Sequence, residues 1–461
     1  MFIRKNVIKL AIPIMIEQTF VMLLGVFNTI MAGHIGEEAV SAVGMVDSIN
    51  NIFISVFAAL SVGATVVVAQ QIGKKDSEKV NETIKQALVS GVILSFTITI
   101  LMWVFRTGVI NLFYGSAEEL VKSNAKLYIE FTLFTYPFIA TQQIANGILR
   151  GCGDVKKPMY VTMFMNIVNV TLGYILIYGI DLNPLGINLQ TPSYGITGAA
   201  ISIAIARIIG CIVIIRALFK GNEFISMGKI FPFKIDVETQ KSIFNIGIPA
   251  GVEQLLFNAG KLIVQVFIVT MGTSAIASNA IGMSIASNAI GMSIASIINV
   301  IGNALALSAT TLVGQYIGRG DIKGAKSTLL YLTKFATICL FIVGAIFIPI
   351  APWISSMYTQ NASVIDISTQ LIRSDCLAMV IWPISFVLSA GLKGAGDTRY
   401  TMMTAVIGMW IFRIFTGYVL GVVLEFGVLG IWIGMYTDWL VRGTLYCLRL
   451  RGTKWLKHKV A

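Results

Sequence analysis

Charge is scarce in this chain. Only 12% of its 461 residues are Asp, Glu, Lys or Arg, about half the share of a soluble globular protein. That deficit excludes a soluble enzyme, a disordered chain and a fibre, because too little polar surface remains to hold a fold of this size in water. Histidine is nearly missing, with two residues. The clustered His, Asp and Glu of a membrane-embedded enzyme or a resident metal centre are therefore not expected. The five cysteines, Cys152, Cys211, Cys339, Cys376 and Cys447, follow no metal spacing and no paired extracellular pattern, so they are expected to be reduced structural thiols. No phosphate-binding Gly-x-x-x-x-Gly-Lys-Ser/Thr stretch is present, which excludes ATP as the energy source. No cofactor is expected. The first apolar run, from about Leu10, is too long for a cleavable leader and reads as a span that stays in place.

What the chain has instead is apolar surface: 56% hydrophobic residues and a mean hydropathy of +0.82. Apolar segments fall near 10–33, 43–72, 84–105, 127–148, 159–180, 196–219, 243–271, 275–317, 328–350, 371–392, 401–424 and 428–448. Most are long enough to cross a core of about 30 Å as helices, and too long for alternating barrel strands. The expected fold is an all-α integral membrane protein of twelve transmembrane helices. The net charge is +12, and its distribution speaks for orientation rather than nucleic-acid binding. Lys and Arg collect at residues 4–9, 74–85, 150–157, 220–241, 319–326, 393–399 and 449–459, whereas loops 34–42, 181–195, 272–274, 351–370 and 425–427 hold none. By the positive-inside rule both termini are cytoplasmic, in the cell membrane. Only the loop around Arg106, Lys122 and Lys126 departs.

The sequence repeats. Ile12-Pro13-x-x-x-Glu17-Gln18 recurs as Ile248-Pro249-x-x-x-Glu253-Gln254, Gln70-x-Ile72-Gly73 as Gln315-x-Ile317-Gly318, Arg150-Gly151-Cys152-Gly153-Asp154 as Lys393-Gly394-Ala395-Gly396-Asp397, and Gly195-x-x-Gly198 as Gly427-x-x-Gly430. Each half holds six spans, so both enter the membrane from the same side, and a pseudo-twofold axis along the membrane normal relates two six-helix lobes. The expected boundaries are 1–219 for the amino-terminal lobe, 220–241 for a basic cytoplasmic linker and 242–461 for the carboxy-terminal lobe with its basic tail. Two like lobes make a cleft that opens to either side in turn, which points to a transporter working by alternating access.

A charge inside the bilayer is costly and marks function by default. Glu17 lies eight residues past Lys9, and Glu253 is its repeat mate. Desolvation drives such a carboxylate towards its neutral form and a cation entering the cleft drives it back, which is the logic of exchange. Glu253 and Glu17 are therefore the expected coupling-ion residues. Asn28, eleven positions after Glu17 and so about three turns on, shares its face. Gln254, Asn258, Lys261 and Gln265 form a polar stripe at i, i+4, i+7 and i+11, the expected wall of a substrate cleft. Trp382 and Phe257 are added as aromatic lining for flat cations. Asp47, Glu130, Asp375 and Asp438 are weaker candidates, expected at helix ends. Arg207 and Arg413 are expected to anchor helix ends, His34 to sit exposed in a turn, and Asp154 and Asp397 to cap or latch their loops.

Through Gly33-His34-Ile35-Gly36, Gln70-Gln71-Ile72-Gly73, Gln315-Tyr316-Ile317-Gly318, the twin glycine-aspartate loops and the basic tail from Arg449 to Trp455, the whole chain resembles the multidrug and toxic compound extrusion (MATE) transporters. The resemblance implies a monomeric 6+6 bundle that exports small cationic amphipathic compounds in exchange for Na+ or H+, with transient Na+ binding rather than a resident metal. It also marks departures. The family's acidic residue of the first helix is here Asn28, that of the fifth helix is Gly173, and an acidic residue of the tenth helix falls near Trp382. An asparagine ligates Na+ through its carbonyl but carries no proton at neutral pH, so coupling is expected to have moved to Glu17 and Glu253. The alternative is a lipid-linked sugar or lipid flippase of the same superfamily. That would want a cleft rich in Arg and Lys, and only Lys261 stands clearly in mid-membrane sequence.

Finally, Asn279–Ser287 is followed at once by the same nine residues, Asn288–Ser296. The repeat offset grows from 236 at Pro13 and Pro249 to 245 at Gly73 and Gly318, a slippage equal to the duplicated length. Nine residues add about 13.5 Å to a helix, so the eighth span is expected to break, protrude or slide.

Overall fold

Lipid offers no hydrogen-bond partner, so each apolar run must satisfy its own peptide groups and folds as a helix. The computed structural model describes residues 2–33, 35–115, 118–181, 190–221, 225, 233–270 and 275–456. In chain order these form α1 (Phe2–Gly33), α2 (Glu37–Lys74), α3 (Ser77–Tyr114), α4 (Glu119–Phe134), α5 (Tyr136–Gly151), α6 (Lys156–Tyr178), α7 (Gly195–Phe219), α8 (Val237–Thr270), α9 (Ala275–Gly318), α10 (Ile322–Tyr358), α11 (Ala362–Ala378), α12 (Trp382–Gly394), α13 (Thr398–Val423) and α14 (Gly427–Arg451). Between α6 and α7 a two-residue ribbon pairs β1 (Ile180–Asp181) antiparallel to β2 (Gln190–Thr191). His34, the loop 272–274 and the end of the basic tail lie outside the described residues.

Nine described helices are long and apolar enough to cross a bilayer, and α11 with α12 makes a tenth span bent by 54°. The pair α4 and α5, and α14, complete the expected twelve while carrying more charge. Two spans expected to be continuous are therefore broken. Pro137 stands in the first turn of α5 and Pro383 in the first turn of α12. Proline donates no N–H and clashes with the preceding turn, so a helix starts there more readily than it runs through. The odd basic loop also has its explanation. Arg106 pairs with Glu130 at 2.9 Å and Lys122 with Glu119 at 2.7 Å, so two of its three cations are matched locally.

By packing, the chain divides into two compact units. The amino unit comprises Ile16–Val68 and Lys75–Gly247; the carboxy unit comprises Met1–Met15, Ala69–Lys74 and Ile248–Ala461. The amino unit has an apolar core that includes Val46, Phe57, Ile129, Leu133 and Tyr136. In the carboxy unit, the short piece of α2 is held because Gln70 Nε2 donates to Gly394 O at 3.1 Å. A Cβ on Gly318 would strike the carbonyl of Gln70, so glycine alone allows that approach. The basic segment before α8 ends at Asp236. Its carboxyl accepts from the Thr239 hydroxyl at 2.6 Å and from the Glu238 and Thr239 amides, which holds it below the usual carboxylate range and caps the helix.

The duplicated helix does not break. α9 is one helix of 44 residues, about 66 Å long. The second copy sits in the packed body of the unit. Asn288 Oδ1 accepts from Trp432 Nε1 at 2.9 Å, and a Cβ on Gly291 would lie 2.8 Å from the Trp432 ring.

Candidate functional site

The two repeated motifs meet. In the amino unit the Glu17 carboxylate of α1 accepts from Arg150 at 2.5 Å; in the carboxy unit that of Glu253 on α8 accepts from Lys393 at 2.7 Å. Each basic partner ends the helix that leads into a Gly-x-Gly-Asp loop. The same pair is thus built twice. In both, Oε1 is engaged while Oε2 is buried without a hydrogen-bond partner among the described residues. Lys261, eight residues along from Glu253, takes no part in its pair. Beyond the loops, Asp397 makes the expected latch. It holds Arg449 at 2.7 Å and 3.1 Å, while Asp154 holds Lys157 at 3.0 Å.

Asn28 lies in the amino unit beside α6. Its Oδ1 accepts from Asn169 Nδ2 at 2.8 Å, and Asn166 Nδ2 donates to Phe20 O at 2.6 Å. The outer oxygens of Asn166 and Asn169 are buried and unpartnered among the described residues. Asn28, Met31, Val43, Tyr128, Ile177, Ala199 and Ser202 line a small pocket here. Gly173 faces the same place, since a Cβ on it would come within 2.9 Å of Met31 Sδ. The position that the resemblance marks as acidic is therefore closed by Met31, and amides serve where a carboxylate was expected.

In the carboxy unit the polar stripe of α8 does not act as one wall. Gln254 and Gln265 are exposed and Asn258 is half-buried. Lys261 turns its ammonium over the Phe257 ring, 5.0 Å from the centroid. The same ring receives Arg442 at 5.5 Å and Arg413 at 5.8 Å. Phe257, expected to greet a substrate cation, already faces three cations of its own chain. Trp382 is 3% exposed and stacks on Phe386, with centroids 4.4 Å apart and planes 13° from parallel. Arg442 lies over the Phe386 ring at 4.7 Å.

Sequence reasoning underrated Asp438 and Arg413 and passed over Arg442. Asp438 and Arg442 are not at a helix end but in mid-α14, where they pair at 2.8 Å with side chains 0% and 4% exposed. A side chain at Gly408 would strike Asp438, so that glycine makes room for the pair. Arg413 is no helix-end anchor either. It closes a π-helical turn, Gly408–Arg413, and is 6% exposed. A π turn rotates the residues beyond it relative to an α-helix, so simple 3.6-residue counting puts Arg413 on the wrong face. The i, i+4 spacing of Asp438 and Arg442 was the available signal. Asp375 is also buried, with both carboxylate oxygens unpartnered among the described residues. Arg207, in the amino unit, donates to Thr135 Oγ1 at 3.0 Å.

Helices throughout, paired carboxylates within membrane-length spans and a motif set used twice define a multi-pass membrane protein of the two-lobe transporter class. The MatE family model matches residues 13–175 and again 249–419, each match beginning at the repeated proline. The chain belongs to the MatE family. It is 29% identical to "Probable multidrug resistance protein NorM" of Thermotoga maritima over 99% of this chain and 94% of that one. It is 26% identical to "Uncharacterized transporter YisQ" of Bacillus subtilis over 97% and 94%. Among solved structures it superposes with a TM-score of 0.87, at 23% identity and covering 97% and 95%, on an outward-facing multidrug resistance MATE family transporter of the MOP superfamily.

Proposed function

We propose that the protein is an ion-coupled antiporter that exports amphipathic organic compounds by alternating access, as a monomer in the cell membrane with both termini cytoplasmic. The observation that carries this is the twin pair Glu17–Arg150 and Glu253–Lys393, each with one buried carboxylate oxygen unpartnered among the described residues. Protonation at Oε2, or its capture by Na+, weakens the hold of the carboxylate on its base. The charge state of the site and the freedom of the adjoining Gly-x-Gly-Asp loop then change together. Buried amide oxygens at Asn166 and Asn169 are further neutral ligands for Na+ in the amino unit. The family membership and the name of the Thermotoga maritima relative support drug-like substrates. A flippase for lipid-linked substrates is the second reading. It gains from Arg413 and Arg442, two buried cations that share the Phe257 ring with the exposed Lys261.

The test is transport in inverted membrane vesicles, with ethidium and norfloxacin as probes and with Na+ and H+ gradients imposed separately. Gradient-driven accumulation of either probe, lost in Glu253→Gln, is the expected result. Accumulation in neither gradient, with the protein inserted, overturns the proposal.

A further inference from the structure

We propose that the carboxy unit binds the acid group of an amphipathic organic anion or zwitterion, with Lys261, Arg413 and Arg442 around Phe257 as the recognising cations. The three come from three helices, α8, α13 and α14, and converge on one ring. No two of their charged centres lie more than about 11 Å apart. Of the nearby carboxylates, Asp438 is engaged by Arg442 and Glu253 by Lys393. That leaves two positive charges of the cluster without a matching negative one. Arg413 is 6% exposed, and its Nε has no hydrogen-bond partner among the described residues. A buried cation without a counter-charge is unfavourable unless a ligand supplies one. A guanidinium meets a carboxylate or phosphate with two parallel N–H donors, and a lysine adds a point charge beside it. The half-buried Phe257 is the ring that borders the cluster, whereas Trp382 is buried and stacked on Phe386. Ring faces alone would favour a cation, but here they are already occupied by the chain's own cations. Aromatics and bases together select an acid on a flat apolar frame.

The inference deepens the transport proposal and names the charge of its substrate, yet equilibrium binding tests it without transport. The full-length protein in detergent is titrated against norfloxacin, a zwitterion, and against its methyl ester, which lacks the acid. Norfloxacin is expected to bind the parent more tightly than the ester. Lys261→Gln and Arg413→Gln are each expected to weaken norfloxacin by about tenfold while leaving the ester and ethidium unchanged or tighter. Lys261 is exposed, so its variant carries the test if Arg413→Gln fails to fold. Dihexanoyl phosphatidic acid then separates the sources of the acid: displacement of norfloxacin assigns the site to a lipid phosphate, and failure to displace assigns it to free amphipathic acids. Equal binding of acid and ester, unmoved by Lys261→Gln, overturns the inference. Gradient-driven ethidium efflux in that event would leave the antiporter proposal standing.

Discussion

Glu17 with Arg150 and Glu253 with Lys393 are one ion pair built twice, yet the interiors above them differ. Glu17 is 1% exposed and Glu253 13%. Counted from the preceding repeat landmark, the positions matching Lys261, Arg413, Asp438 and Arg442 are Gly25, Val170, Ala206 and Gly210. Those matching Asn28, Asn166 and Asn169 are Val264, Met409 and Phe412. Among these matched positions the amino unit places neutral amides, and the carboxy unit places cations and one paired carboxylate. Duplication kept the pair that both halves need at the loop and let the interiors diverge.

The largest effect is expected at the more accessible pair. Glu253→Gln should abolish gradient-driven exchange while the protein still inserts. The double variant Glu253→Gln with Lys393→Met should not restore it, because under the proposed function the lost group carries the ion and is not merely a counter-charge. Wild-type efflux in the double variant would reduce the pair to a structural one. At the more buried pair the main loss should be stability. Removing one partner of a buried pair costs about 3–5 kcal/mol, so Glu17→Gln should lower the melting temperature in detergent more than Glu253→Gln does. Equal shifts would erase the distinction between the units.

A third change moves the amino unit towards acidity. Asn28→Asp places a titratable group against Asn169, in the pocket shared with Tyr128 and Ser202. The variant's transport should change its pH dependence, with an added fall as the new carboxylate protonates at low pH. Superimposable pH profiles at matched expression would show that Asn28 takes no part. The smallest effect is expected from shortening α9. Deleting Asn288–Ser296 leaves an identical copy to occupy the same register, so the contact to Trp432 can be remade by Asn279. Folding and efflux should stay within about twofold of the parent. Normal insertion with lost transport would assign the second copy a role in the carboxy unit alone.

Much of this was legible before any coordinate. The scarcity of charge decided the solvent, the long apolar runs decided helices, and the twin motifs predicted two equivalent lobes. These are properties of composition and of short-range order, where one residue type in lipid has one acceptable environment. Glu17 and Glu253 were legible as well, because a carboxylate in an apolar span has few innocent explanations. Their partners were not. Arg150 lies 133 residues from Glu17 and Lys393 lies 140 from Glu253, and no periodicity within a helix reports a contact between helices.

The sequence by itself determined the class, the repeat and the carboxylates. Only the tertiary structure decided which base each carboxylate holds, that Met31 closes the place of the expected acid at Gly173, and that Arg413 points inward. The physical reason is geometric. Burial and helix formation follow from the local chain, but a π turn, a proline break and a glycine-sized gap each re-aim side chains by amounts that residue counting cannot carry across them. Lys261, Arg413 and Arg442 are scattered over 181 residues of sequence and become one charged cluster only when α8, α13 and α14 are packed together.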